Sequence, residues 1–165
     1  MQSKPYTVTS QLDRTRYYMG GYWTFLATGK ETDGQFALIE MNLRKGIEPS
    51  RHTHSHEDES FHLLEGEVHF TVAEEDYHLK AGDFVHIPKG VAHHFKLESD
   101  KAKMLAHLVP AGLEEFFITL SKPADVLDFP PLPAGPPPAE FLQKITALQQ
   151  QYGIKGIDNT KLKAV

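Results

Sequence analysis

The stretch from Gly46 to Gly66, GIEPSRHTHSHEDESFHLLEG, sets four histidines beside the acidic run Glu57-Asp58-Glu59. Imidazole and carboxylate both offer lone pairs once deprotonated, so this density suits a metal site, a set of general bases or a solvated acidic turn. His52, His54 and His56 are spaced by two, and an extended backbone turns all three toward one face. Glu59 follows where the chain turns into ESFHLLEG, so one strand-turn-strand unit can bring two imidazoles and a carboxylate together. A fourth donor can come from GDFVHIPKGVAHHF, where the alternation His93, Phe95, Leu97 keeps His93 inward and sends His94 outward. The chain has no cysteine, which excludes disulfides, thiolate metal sites and cysteine nucleophiles, and leaves nitrogen and oxygen to hold any metal.

The elements that must position these residues are β-strands. All ten histidines lie between His52 and His107, in a region of short β-rich runs broken by Gly66, Ala81-Gly82, Pro88-Gly90 and the ESDK turn. Many short strands at regular spacing predict a sandwich or barrel. Before them, YWTFLAT and QFALIEMNLR predict a hairpin across GKETDG, with Asp33-Gly34 as its turn signal. After them the period changes. Leu113, Phe116, Phe117 and Leu120 predict a short amphipathic helix, and Phe141, Leu142, Ile145, Leu148 and Tyr152 a second, opened near Pro138 and closed by Gly153. Between the helices, KPADVLDFPPLPAGPPP holds seven of the eleven prolines and predicts an extended strap. The domain plan is N-terminal strands over 1–33, a β core over 34–110, a short helix over 111–122, a Pro-rich strap over 123–138, a helix over 139–153 and an unpatterned tail over 154–165 that includes DNTKLKAV.

Composition narrows the setting. A chain of 165 residues with 40% hydrophobic content suits one core with appendages. Lys+Arg 17 against Asp+Glu 22 gives a net charge of -5, and the absence of a basic run argues against nucleic acid as a partner. No apolar stretch reaches bilayer length and the N-terminus lacks an apolar core, so a soluble, cytoplasmic protein with no membrane partner is expected. The two helical stripes predict a homodimer, since a barrel of this size need not cover both.

At these residues the chain resembles the cupin superfamily. Gly46, five residues, His52-Thr53-His54, four residues, Glu59, six residues and Gly66 follow its first motif, and Gly82, five residues, Pro88-Lys89-Gly90, two residues and His93 follow its second. The usual closing Asn of the second motif is Leu97 here, a packing position and not a ligand. The helical extension is similar to that of small single-domain cupins compared with quercetin 2,3-dioxygenase. The resemblance implies an all-β fold, a single jelly-roll β-barrel with a C-terminal helical extension. It also implies a divalent transition metal (Fe, Mn, Ni, Cu or Zn) held by His52, His54, Glu59 and His93.

Three functions fit that site. One is a metal-dependent dioxygenase taking dioxygen and an enolisable or phenolic small-molecule substrate, with Glu59 as the catalytic base. The others are a metal-dependent isomerase or lyase and a non-catalytic small-molecule binding protein. His56 continues the His52/His54 parity but falls in a polar rim loop, His62 stands where the family often has an aromatic, and His107 and Glu40 are weak candidates for the lumen. His69, His78 and His86 read as structural. The aromatic residues Trp23, Phe25, Phe36, Phe61, Phe70, Phe84 and Phe95 read as core for the most part.

Overall fold

A computed structural model describes residues 4–9, 11–132, 135 and 137–157. Twelve strands appear among them: β1 (Thr15–Tyr18), β2 (Gly21–Ala27), β3 (Ala37–Arg44), β4 (His52–His54), β5 (Asp58–Glu65), β6 (Glu67–Val72), β7 (Glu75–Lys80), β8 (Phe84–Ile87), β9 (His93–Leu97), β10 (Lys101–Val109), β11 (Lys122–Pro123) and β12 (Ile154–Gly156). Three α-helices join them: α1 (Gly29–Thr32), α2 (Glu114–Leu120) and α3 (Ala139–Gln151). The strands form two antiparallel sheets, ordered β11-β1-β2-β3-β10-β5-β8 and β12-β4-β9-β6-β7. This is the jelly-roll arrangement of two sheets, and no continuous ladder among the described residues closes them into one cylinder.

The period-2 pattern explains the core. Ala37, Ile39, Met41 and Leu43 of β3, Phe61 and Leu63 of β5, and Phe95 and Leu97 of β9 are all buried on inward faces. Phe70 is fully buried and packs its ring against Phe61 and Phe95, at centroid distances of 5.2 and 5.3 Å. Phe84 departs from the core expectation. It is 60% exposed, because Val85 and Ile87 take the inward parity of the edge strand β8. Gly66, at φ +90, must stay small, since a Cβ there would lie 2.5 Å from the Lys101 carbonyl.

Two connections differ from the sequence expectation. The β2–β3 hairpin carries the one-turn helix α1, started where Thr28 N–H and Oγ–H both donate to Glu31 (3.0 Å each) and ended by Asp33 at φ 56. Ile154–Gly156, placed by pattern in the tail, is instead a strand paired with β4; DNTKLKAV lies outside the described residues. Of the two apolar stripes, Leu113, Phe116 and Leu120 join the core, and Phe141, Ile145, Leu148 and Tyr152 lie against it, while Leu142 is exposed. Glu114 fastens α2 by accepting hydrogen bonds from the Gly29 and Gly112 amides at 2.7 and 2.6 Å. In the strap, Phe129 meets Tyr22 edge-on at 5.2 Å, with Lys101 and Arg44 over its ring.

Candidate metal centre

Strand parity and sheet stacking together assemble the centre. His52 and His54 come from β4 and His93 from the adjacent β9, where His52 and His93 are cross-strand partners. Glu59 comes from β5 in the opposite sheet, on the same face as Phe61 and Leu63. One donor atom from each of the four lies within 4.8 Å of the others. Glu59 Oε2 is 3.0 Å from His93 Nε2 and 3.3 Å from His54 Nε2, and the His52 and His93 ring centroids are 4.5 Å apart. His54, Glu59 and His93 are 3%, 6% and 2% exposed.

The tautomers are set from behind. His52 Nδ1 lies 2.8 Å from the Ser50 carbonyl and His93 Nδ1 lies 3.0 Å from the Val91 carbonyl. A carbonyl can only accept, so each Nδ1 carries a proton and each Nε2 is the nitrogen turned toward the centre. Burial, then the neighbouring His93 and His54, push His52 down to about 4, so it is a neutral imidazole near pH 7. Burial also pulls on His54, but Glu59 and Glu57 outweigh it and hold His54 above its ordinary value. Burial raises Glu59, yet the His54 and His93 imidazoles prevail and keep its carboxyl well below the usual range, so it is ionised.

These residues fit a divalent cation. Three imidazoles converge on one buried carboxylate, and neither ring nitrogen of the buried His54 has a hydrogen-bond partner. Unsatisfied buried polar atoms are costly, and an ion among these four donors would satisfy His54 Nε2, the nitrogen that faces Glu59, while leaving positions open for a further ligand.

Beside the centre is a cavity of about 250 Å³. Its walls include Trp23, Met41, Phe61 and Phe95, which are apolar. The C-terminal segment completes it: Phe116 and Phe117 of α2, Ile145 and Gln149 of α3, and Ile154 of β12 all line it. Tyr18 adds a phenol that burial pushes up, so it stays a neutral O–H. The same segment holds the ligand strand. β12 pairs Ile154 with His54 and Gly156 with His52, while the Ser55 amide donates to the Gly153 carbonyl at 3.1 Å and the Ile157 amide to the Arg51 carbonyl at 2.9 Å. Gly153, at φ +69, is required there, because a Cβ would fall 2.0 Å from Ser55 Oγ.

The weaker candidates lie elsewhere. His56 is exposed, since β4 ends at His54 and the chain bends at Ser55. His62 is exposed on the outer face of β5. His107 packs on Phe36 at 5.3 Å, and Glu40 pairs with Lys103 at 3.2 Å; their inward neighbours Ala106 and Ile39 face the cavity in their place. Pattern missed Glu57. It is 3% exposed, and its Oε2, without a hydrogen-bond partner, sits 4.0 Å from His54 Nδ1. Its shared parity with Glu59 was the available signal. The contributions of α2, α3 and β12 to the cavity had no local signal at all.

A two-sheet jelly roll whose apolar cavity is lined by three histidines and a glutamate able to hold a metal is the arrangement of the cupin fold. Residues 39–110 match the family described as "Cupin domain", and the chain resembles quercetinase-like cupins. It is 36% identical over 123 residues to quercetin 2,3-dioxygenase of Bacillus subtilis (strain 168), a match covering 74% of this chain and 36% of that protein. The chain thus spans about a third of the length of that curated relative. Among solved structures, KdgF from Halomonas sp. superposes with a TM-score of 0.59 at 13% identity, covering 68% of this chain and 99% of that one. An RmlC-like cupin from Shewanella frigidimarina gives 0.58 at 22% identity, covering 70% and 99%. These two likenesses establish the fold alone. No helix among the described residues is long and apolar enough to cross a membrane.

Proposed function

We propose that the chain is a metal-dependent dioxygenase of the quercetinase-like kind, acting on an enolisable or phenolic small molecule. The observation that carries this reading is the 36% identity to the Bacillus quercetin 2,3-dioxygenase. A match over 74% of the chain must span its middle, where both ligand-bearing segments lie.

A divalent ion held by His52, His54, Glu59 and His93 would supply Lewis acidity toward a hydroxyl oxygen and a centre at which dioxygen can react. The protein's own part is binding and proton handling. Phe61, Phe95 and Trp23 hold a flat apolar ring and exclude water, and α2 and α3 cover it. The ionised Glu59 takes the hydroxyl proton as the substrate becomes an oxyanion, and Glu59 is the carboxylate nearest the converging Nε2 atoms.

Glu59→Gln tests the reading. Gln keeps the shape and an oxygen donor but cannot take the proton. The variant is expected to retain appreciable metal and to lose turnover by ~100-fold to 10,000-fold, the usual contribution of a general base. Metal content, oxygen uptake and loss of a flavonol or diketone probe are measured together. Turnover per bound metal equal to wild type would show that Glu59 is not the base. Tight probe binding with no oxygen uptake in wild type would remove the dioxygenase reading altogether.

A further inference from the structure

We propose a second transition-metal site on the outer face of the five-stranded sheet, formed by His69 of β6, His78 of β7 and Glu98 just after β9. One donor atom from each lies within 4.8 Å of the other two. The register that buries the core produces the cluster. His69 and His78 are direct cross-strand partners, and both point outward because Val68, Phe70 and Leu79 take the inward positions. Glu98 is brought alongside when its amide donates to the Glu67 carbonyl at 2.9 Å.

The rings are stacked, with centroids 4.4 Å apart and planes 13° from parallel. Glu98 Oε1 lies 3.0 Å from His78 Nδ1. Asp76, held by the Thr71 hydroxyl at 2.8 Å, lies 3.1 Å from His69 Nε2. A carboxylate beside a ligating imidazole fixes the ring and strengthens it as a donor. One cation shared by the two imidazoles and the carboxylate would satisfy a donor on all three.

The donor set is two imidazoles and one carboxylate, which suits Zn(II), Cu(II) or Ni(II) in preference to Mg(II) or Ca(II). The donors must close in by rotation to the ~2.0–2.2 Å that zinc requires. His78 and Glu98, with side chains 61% and 39% exposed, are free enough to do so, and water completes the shell. The local charge is mixed: Asp76 and Glu98 are offset by Lys96, the cross-strand partner of His69. Binding would tie β7 and β6 to the end of β9, the strand whose inward face carries His93. The two sites would share no ligand.

The test is a calorimetric titration of metal-free, full-length protein with Zn(II) alone. Wild type is expected to take up two ions per chain. His78→Ala and Glu98→Gln should each take up one, His93→Ala should take up one at the outer site, and His93→Ala/His78→Ala none. Glu98→Gln preserves shape and covers the case in which His78→Ala fails to fold. A single ion in wild type with no change in His78→Ala overturns the proposal, as does a second ion that persists in both His78→Ala and Glu98→Gln. Failure of the inner centre would appear separately, as full uptake by His93→Ala.

Discussion

Gly153→Ala should loosen the inner centre without touching a ligand. Gly153 has φ +69, and an added Cβ would lie 2.0 Å from Ser55 Oγ and 2.9 Å from His56 Cε1. Holding Ala in the left-handed region costs about 1–2 kcal/mol. The His56 ring is exposed and can move away, but Ser55 is tied to the Gly153 carbonyl by its amide and its hydroxyl, at 3.1 and 3.0 Å. Relieving that overlap costs about 1–3 kcal/mol more, for a total of roughly 2–5 kcal/mol. Ser55→Ala alone removes one hydrogen bond, about 0.5–1.5 kcal/mol. The double variant keeps the backbone strain and the lost hydrogen bond but not the overlap, so it should be less damaged than the sum by about 1–3 kcal/mol. Denaturant unfolding of the four proteins measures this coupling. Hydrogen exchange at the Ser55 and Ile157 amides reports whether β12 opens on its own. Metal affinity should fall with the same order of severity, because β12 is hydrogen-bonded along the strand that carries His52 and His54. Wild-type stability, amide protection and metal affinity in Gly153→Ala would refute the view that β12 holds the ligand strand.

The metal-free protein should be most stable near pH 6.5. His52, lowered from 6.5 to about 4, leaves the unfolded chain with more bound protons between those values, so stability rises with pH across that window. His54, raised above 6.5, contributes stability present below 6.5 and lost as pH climbs through its folded value. With metal bound the upper limb should reverse, since His54 must release its proton to become a ligand; melting temperatures against pH, with and without Zn(II), check both limbs. His94→Ala should leave the inner centre loaded, whereas His52→Ala, His54→Ala or His93→Ala should each empty most of it, as read by metal analysis of protein whose outer face carries His78→Ala. Phe70→Ala, at a fully buried ring, should cost about 3–5 kcal/mol in denaturant unfolding.

The four inner donors were legible because their logic is local. A two-residue spacing sets His52 and His54 on one face of a strand, one turn separates them from Glu59, and the alternation after Pro88-Lys89-Gly90 turns His93 inward with Phe95 and Leu97. His56 lies in the exposed rim loop expected of it, because a bend interrupts the strand, whereas pattern passes over Glu57 although it shares the parity of Glu59. Only tertiary structure could decide what lies far apart in the chain. Ile154–Gly156 has too few residues to show a period, and it becomes a strand because β4 offers an unpaired edge across about a hundred residues of sequence. Phe116, Phe117 and Ile145 read as ordinary amphipathic faces, and the surface they cover is chosen by where α2 and α3 dock on the barrel. His69 and His78 read as structural and Glu98 as part of the ESDK turn, and they meet because β6, β7 and the end of β9 align in one register. Periodicity within an element reports which face a side chain takes, but which faces then come together is decided by long-range pairing and packing.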